Sequence, residues 1–232
     1  VPKIAGIAVF IRFMYSPFQN ILDQWQYILV FISIASMILG AVAAINQKNI
    51  KRLIAYSSIS HMGYAIAGIS TGTESGFKST IIYILIYSAM NIGFFAFVFL
   101  MKRSGKYIED INELSGISKN HPLAALSLLI VLFSLAGIPP LAGFFAKFYI
   151  FMSVIESGMY ALAIIGLVTT VVSAFYYIRI IKIMYFDESR KPFEKIVDYK
   201  IHGSILISCI LLVTFFLYPS FLNEIVSNIS VF

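Results

Sequence analysis

The stretch that decides how this chain folds is GIPPLAGFFAKFYIF, residues 137–151. Two consecutive prolines, two glycines and a lysine sit inside one of the most apolar parts of the sequence. A helix that only had to cross a membrane would need none of them. The apolar run around them, 122–155, would make a straight helix of about 51 Å, against a hydrocarbon core of about 30 Å. Pro139 and Pro140 lack an N–H, and Pro140 pushes Pro139 out of the helical region. The run is therefore expected to form two half-helices joined by unwound Gly137-Ile138-Pro139-Pro140. Unpaired backbone in lipid costs several kcal/mol per group, so such a break persists only when buried in protein or lining a wet cavity. Packing geometry is the plain explanation of a Pro-Pro kink taken alone. Lys147 adds a functional one. It lies about 12 Å from the outer end of the run, too deep for easy snorkelling, and an ionisable group at such depth is a functional candidate by default.

The composition agrees with a membrane setting. The 232 residues are 59% hydrophobic and 12% charged, with a mean hydropathy of +0.89. A soluble domain carries about twice that share of charge. The class is an all-α, polytopic transmembrane helical bundle in a single domain, 1–232. The net charge of +6 does not point to nucleic acid, because the basic residues sit in short loops between apolar runs rather than on one surface.

Six stretches are long enough to span: roughly 26–47, 52–72, 79–101, 122–155, 159–184 and 201–222. A shorter run near 3–15, within segment 1–15, reads as the end of a helix whose beginning is missing. That gives about seven spans, one of them discontinuous. No secretory leader pattern precedes them. Lys48, Lys51 and Arg52 lie in one loop, Lys102, Arg103, Lys106 and Lys119 in the next but one, and Lys182, Arg190, Lys191, Lys195 and Lys200 around a third. The intervening loops hold Asp23, Glu74 and Glu156, with Lys78 as their basic residue. The bias alternates with every crossing, which places the basic loops on the inner side.

Three titratable residues stand out within the spans. Lys147 is the first. Lys3 opens an apolar helix end and counts back from the outer loop to near midplane, about 18 Å in; snorkelling to the inner face is its alternative. His61 lies about 13 Å past Arg52, with Ser57 on its own helical face and Tyr56, Ser60 and Tyr64 on the adjacent one. Hydroxyls beside an imidazole suit proton conduction, and they equally suit hydrogen bonding between helices. Tyr87, Ser88 and Asn91 form a smaller polar patch. Arg12, Arg179 and Lys182 fit snorkelling and headgroup anchoring, and His121 and His202 fit span ends. The loop 107–122 reads as a surface connector or docking segment. Cys209 is single, so it signals neither disulfide nor metal. Asn228-Ile229-Ser230 fits the weak glycosylation pattern. No nucleotide-binding glycine motif, cysteine cluster or nucleophile triad is present.

NIKRLIAYSSISHMGYAIAGI (49–69), FSLAGIPPLAGFFAKFYIF (133–151), VVSAFYYIRIIKIMYF (171–186) and PKIAGIAVFIRF (2–13) resemble the antiporter-like membrane subunits of respiratory complex I. Within that family the fit is best to the subunit N, or subunit 2, type. The resemblance covers essentially the whole chain. It implies two inverted five-helix repeats, each with a discontinuous helix, of which this chain is the C-terminal half with the second repeat. It implies that Lys3 matches the lysine of the broken eighth helix and Lys147 the charged residue of the broken twelfth. The proton-carrying set is then Lys147, Lys3 and His61. Sister subunits often carry a histidine on the helix matching 79–101, where this chain offers Tyr87, Ser88 and Asn91. It further implies a subunit of NADH:quinone oxidoreductase in a bacterial inner membrane, rather than a mitochondrial one. Its partners would be other membrane subunits, lipid and protons, with no nucleic acid. This chain itself would hold no cofactor or metal; NADH, FMN, iron–sulfur clusters and quinone would belong to other subunits. A cation/proton antiporter subunit with the same architecture, and a non-pumping fragment that only packs against partners, are the alternatives.

Overall fold

The computed structural model describes residues 2–194, 198–218, 224, 226 and 229. Val1, Lys195, Asn228 of the glycosylation pattern and the end of the 201–222 span lie outside them. The elements are α1 (Pro2–Tyr15), a 3-10 turn (Gln19–Ile21), α2 (Leu22–Ile45), α3 (Ile50–Ser70) and α4 (Glu74–Leu100). A two-residue hairpin, β1 (Lys102–Arg103) and β2 (Lys106–Tyr107), leads to a second 3-10 turn (Ile111–Leu114) and to α5 (Ile117–Asn120). Then come α6 (Pro122–Ala136), α7 (Ala142–Glu156), α8 (Tyr160–Phe186) and α9 (Tyr199–Leu217).

Local chemistry sets the helix ends. The Asn49 side chain accepts from the N–H groups of Lys51 and Arg52 and starts α3. Asp198 does the same for α9. Thr73 accepts from Gly76 N–H, so α4 begins about a turn before the apolar run that announces it. Pro122 opens α6, where its missing N–H costs nothing.

α2 joined to its 3-10 turn, α4, α8 and α9 are each long and apolar enough to cross a membrane. α3 has the length but is rich in hydroxyl side chains, and α6 and α7 are half-length pieces. Counting α3 and the α6–α7 pair as crossings gives the six full crossings expected, with α1 as the partial one.

The three basic loops meet at one end of the bundle. Ile50 N–H donates to Glu109 O at 2.8 Å, Ile111 N–H to Lys48 O at 2.9 Å, Gly116 N–H to Ile183 O at 3.1 Å and Glu194 N–H to Lys102 O at 2.9 Å. At the opposite end Gln26 donates to Ser70 O at 3.0 Å and Ser75 to Glu156 at 3.1 Å. Alternation of charge along the sequence thus becomes segregation of charge between the two ends, as the loop bias requires. The segment 107–122 is the connector that ties the basic end together.

Glu113 is the hub of that end. It takes Arg103 at 2.7 Å and Arg190 at 2.5 Å. The Arg103 hydrogen bond, aided by Arg190 against partial desolvation, holds the Glu113 carboxyl below its ordinary range. A depressed folded-state value stabilises above the unfolded value, and the contribution is lost as pH falls through the folded one. Glu113→Gln is expected to loosen the 101–116 and 183–194 segments by about 1 kcal/mol at neutral pH. Faster amide exchange in those segments would register it. Relative to the intrinsic exchange rate, which itself falls with pH, wild-type protection should drop to meet it as the medium is acidified.

Candidate functional site

The site is built on the break between α6 and α7. The last four carbonyls of a helix have no partner within it. In α6 these are Phe133, Ser134, Leu135 and Ala136. Gly137, at φ +83°, turns the chain left-handed, which glycine alone adopts without penalty. Ile138 N–H then reaches Phe133 O at 3.0 Å and Gly137 N–H reaches Ser134 O at 3.0 Å, the Schellman arrangement. That leaves Leu135 and Ala136. Lys147 Nζ donates to both, at 3.1 Å each. The lysine is the cap of the half-helix.

The start of α7 is completed from the same side. The cap residue, Leu141, offers no side-chain bond. Instead Ser134 Oγ of α6 accepts from Gly143 N–H at 3.0 Å. A side chain at 143 would collide with the Ser134 carbonyl, so the two half-helices approach closely because Gly143 has none. The unwound segment of the sequence reading is present, and one residue longer, running to Leu141.

Lys147 is 4% exposed. Among the described residues no carboxylate pairs with it. A buried ammonium without a counter-ion costs several kcal/mol. Each charge-assisted bond to a carbonyl returns about 1.5–3 kcal/mol, and the negative end of α6 up to about 2 kcal/mol. The broken helix is what makes an unpaired cation tolerable at this depth.

His61, 2% exposed, lies within electrostatic reach of Lys147. Its Nδ1 hydrogen-bonds the Tyr83 hydroxyl of α4 at 2.6 Å and its Nε2 the Tyr177 hydroxyl of α8 at 3.3 Å. Tyr177 continues to Ser57 Oγ. Tyr87 stacks on the imidazole with centroids 4.9 Å apart. Tyr64, one turn further along α3, bonds Thr169 and Thr170 of α8 at 3.2 and 3.0 Å, and its ring lies 5.2 Å from Lys147 Nζ. Lys3 Nζ donates to Ser58 Oγ, about 12 Å along α3. α3 therefore carries a polar train, Ser58, His61 and Tyr64, with Lys3 at one end and Lys147 at the other.

Lys3 reaches the middle level of α3 as its depth count implies, and among the described residues it is exposed. α1 lies at the edge of the described bundle, chiefly against α3 and α4, and its Lys3 face is uncovered there. Arg179 does not simply anchor at headgroups: it donates to Ile45 O at 3.0 Å and caps α2. Ser88 and Asn91 turn back on carbonyls of their own helix, at 2.6 and 2.9 Å; Asn91 also meets the Tyr87 side chain, and Tyr87 is the member of that patch that stacks on His61. Tyr83 and Tyr177 were missed by sequence reasoning. Tyr83 lies one turn before Tyr87, and that spacing was the available signal. Among the described residues no group of three or more His, Cys, Asp or Glu could hold a metal.

Residues 1–173 match the transmembrane family described as NADH:quinone oxidoreductase/Mrp antiporter. The chain is 58% identical over 231 residues to NADH-quinone oxidoreductase subunit N of Pelagibacter ubique (strain HTCC1062), covering 100% of this chain and 49% of that protein. It is 48% identical over 219 residues to the subunit N of Rhodospirillum rubrum, covering 94% and 45%. The chain spans about half the length of the curated relatives it matches. Among solved structures, a chain of respiratory complex I from Thermus thermophilus superposes with a TM-score of 0.72 at 29% identity, over 85% of this chain and 45% of that one. A chain of the Mrp complex from Dietzia sp. DQ12-45-1b superposes at 0.87 with 18% identity, over 96% and 50%, a likeness of fold alone.

Proposed function

Because the chain belongs to the NADH:quinone oxidoreductase/Mrp antiporter transmembrane family, we propose that it is the C-terminal half of a membrane-arm subunit that translocates protons as quinone is reduced elsewhere in the complex. The setting is the bacterial inner membrane, and the partners are other membrane subunits, lipid and protons. NADH, FMN, iron–sulfur clusters and quinone are held by those other subunits. The observation that carries this reading is Lys147, a buried ammonium capped by half-helix carbonyls. Carbonyls hold the charged amine without offering a base, so the amine can give its proton onward.

In this mechanism protons reach the site along α3. Lys3 exchanges with Ser58, His61 shuttles between its Tyr83 and Tyr177 hydroxyls, and Lys147 is the last carrier before the outer side. An imidazole bonded to a hydroxyl on each side can take a proton at one nitrogen and release it from the other. Transport against the membrane potential needs about 2.3 kcal/mol per charge per 100 mV, which quinone reduction supplies.

The full-length protein carrying an affinity tag is expected to co-purify with NADH:quinone reductase activity and the other membrane subunits. Purification without that activity, together with sodium-driven proton exchange in vesicles, would overturn the reading in favour of an antiporter.

A further inference from the structure

The structure assigns Tyr64 a positioning role: the face of its ring serves as the neutral counter-ion of the Lys147 ammonium. The inference rests on the proton-carrying role of Lys147 and names what holds that group when charged.

An ammonium has three donors. Two are taken by Leu135 and Ala136 carbonyls. With no carboxylate beside it among the described residues, the Tyr64 ring, 5.2 Å from Nζ to its centroid, is the remaining partner. The ring is not free to leave. It is 1% exposed. Phe151 packs edge-on against it at 5.9 Å, and His61 and Tyr83 lie at 6.0 and 6.3 Å. Its hydroxyl is pinned at the far side by Thr169 and Thr170 of α8. The two other cation–ring pairs among the described residues, Lys102 on Tyr107 and Arg103 on Phe193, lie at the basic loop end. The Lys147 pair is the one within a span, where loss of competing water makes such an attraction strongest.

The chemistry suits a carrier. A carboxylate in the same place would bind the ammonium tightly and compete for its proton. A ring face attracts the cation, takes no proton, and loses its hold once the amine is neutral. Tyr64 thus favours loading while opposing release less than a carboxylate would.

Fluorine withdraws charge from a ring face while barely changing its size, so a purely structural ring would not respond to it. The full-length protein in the assembled complex, in inverted vesicles, is compared with Phe at position 64 as reference and with Phe bearing one, two and three ring fluorines. The NADH-driven proton uptake rate is expected to fall stepwise, by about fivefold across the series. If the Phe reference fails to assemble, the fluorinated tyrosines provide the same series. A flat series would overturn the inference. A flat series in which Lys147→Arg still lowers uptake removes only the role of Tyr64. Normal uptake by Lys147→Arg would remove the carrier reading itself.

Discussion

Gly143→Ala is expected to lower the amount of assembled protein sharply, although the same substitution in most helices helps. Replacing glycine by alanine inside a helix ordinarily gains about 0.5–1 kcal/mol. Here the added carbon meets the Ser134 carbonyl oxygen and carbon of the facing half-helix, atoms that cannot rotate away. Overpacking of this kind costs about 1–3 kcal/mol or more. Separating the half-helices also breaks the Gly143 N–H to Ser134 Oγ bond, about another 1 kcal/mol. The net is a loss of roughly 1–3 kcal/mol, a large part of a typical stability. Gly203→Ala in α9 is the internal control, since nothing lies within 4 Å of the carbon it would add; it should be neutral or mildly stabilising. Membrane abundance and the heat-induced aggregation midpoint of the two variants should move in opposite directions. If Gly143→Ala behaved like Gly203→Ala, the close approach of α6 and α7 would be wrong.

Much of the fold was legible in the sequence because its strongest signals are physical ones. Apolar runs of spanning length, loops of alternating charge and a Pro-Pro pair in an overlong run each constrain the backbone directly. They give the crossings, the common basic end and the α6–α7 break. The site was legible one residue at a time. Lys147, His61 and Lys3 stood out because titratable groups are costly in an apolar run. What they touch was not legible. The carbonyls that Lys147 caps are left over only after Gly137 and Ile138 have taken two of the four, a remainder that requires the turn geometry. Tyr83 and Tyr177 come from α4 and α8, and tyrosine in a span carries no mark separating a relay hydroxyl from an interfacial anchor. For Lys3 the sequence gives depth along the helix, and depth does not say which side of the helix is covered.

The second large effect is expected at Lys147, where capping and proton transfer can be separated. Arginine keeps donors for the Leu135 and Ala136 carbonyls but does not give up its proton. Glutamine keeps a donor without the charge. Both should preserve the α6 terminus, unlike alanine, which leaves two carbonyls unpaired in the membrane interior. Removing a proton-transferring group slows the transfer by about 10²–10⁴-fold, so translocation through this chain should stop in both variants while the complex still assembles. The decisive measurement is the number of protons taken up per NADH oxidised by inverted vesicles carrying Lys147→Arg in the full-length protein. A ratio clearly below wild type, with NADH oxidation retained, is expected. A complex that assembles and keeps the wild-type ratio would contradict proton transfer at Lys147.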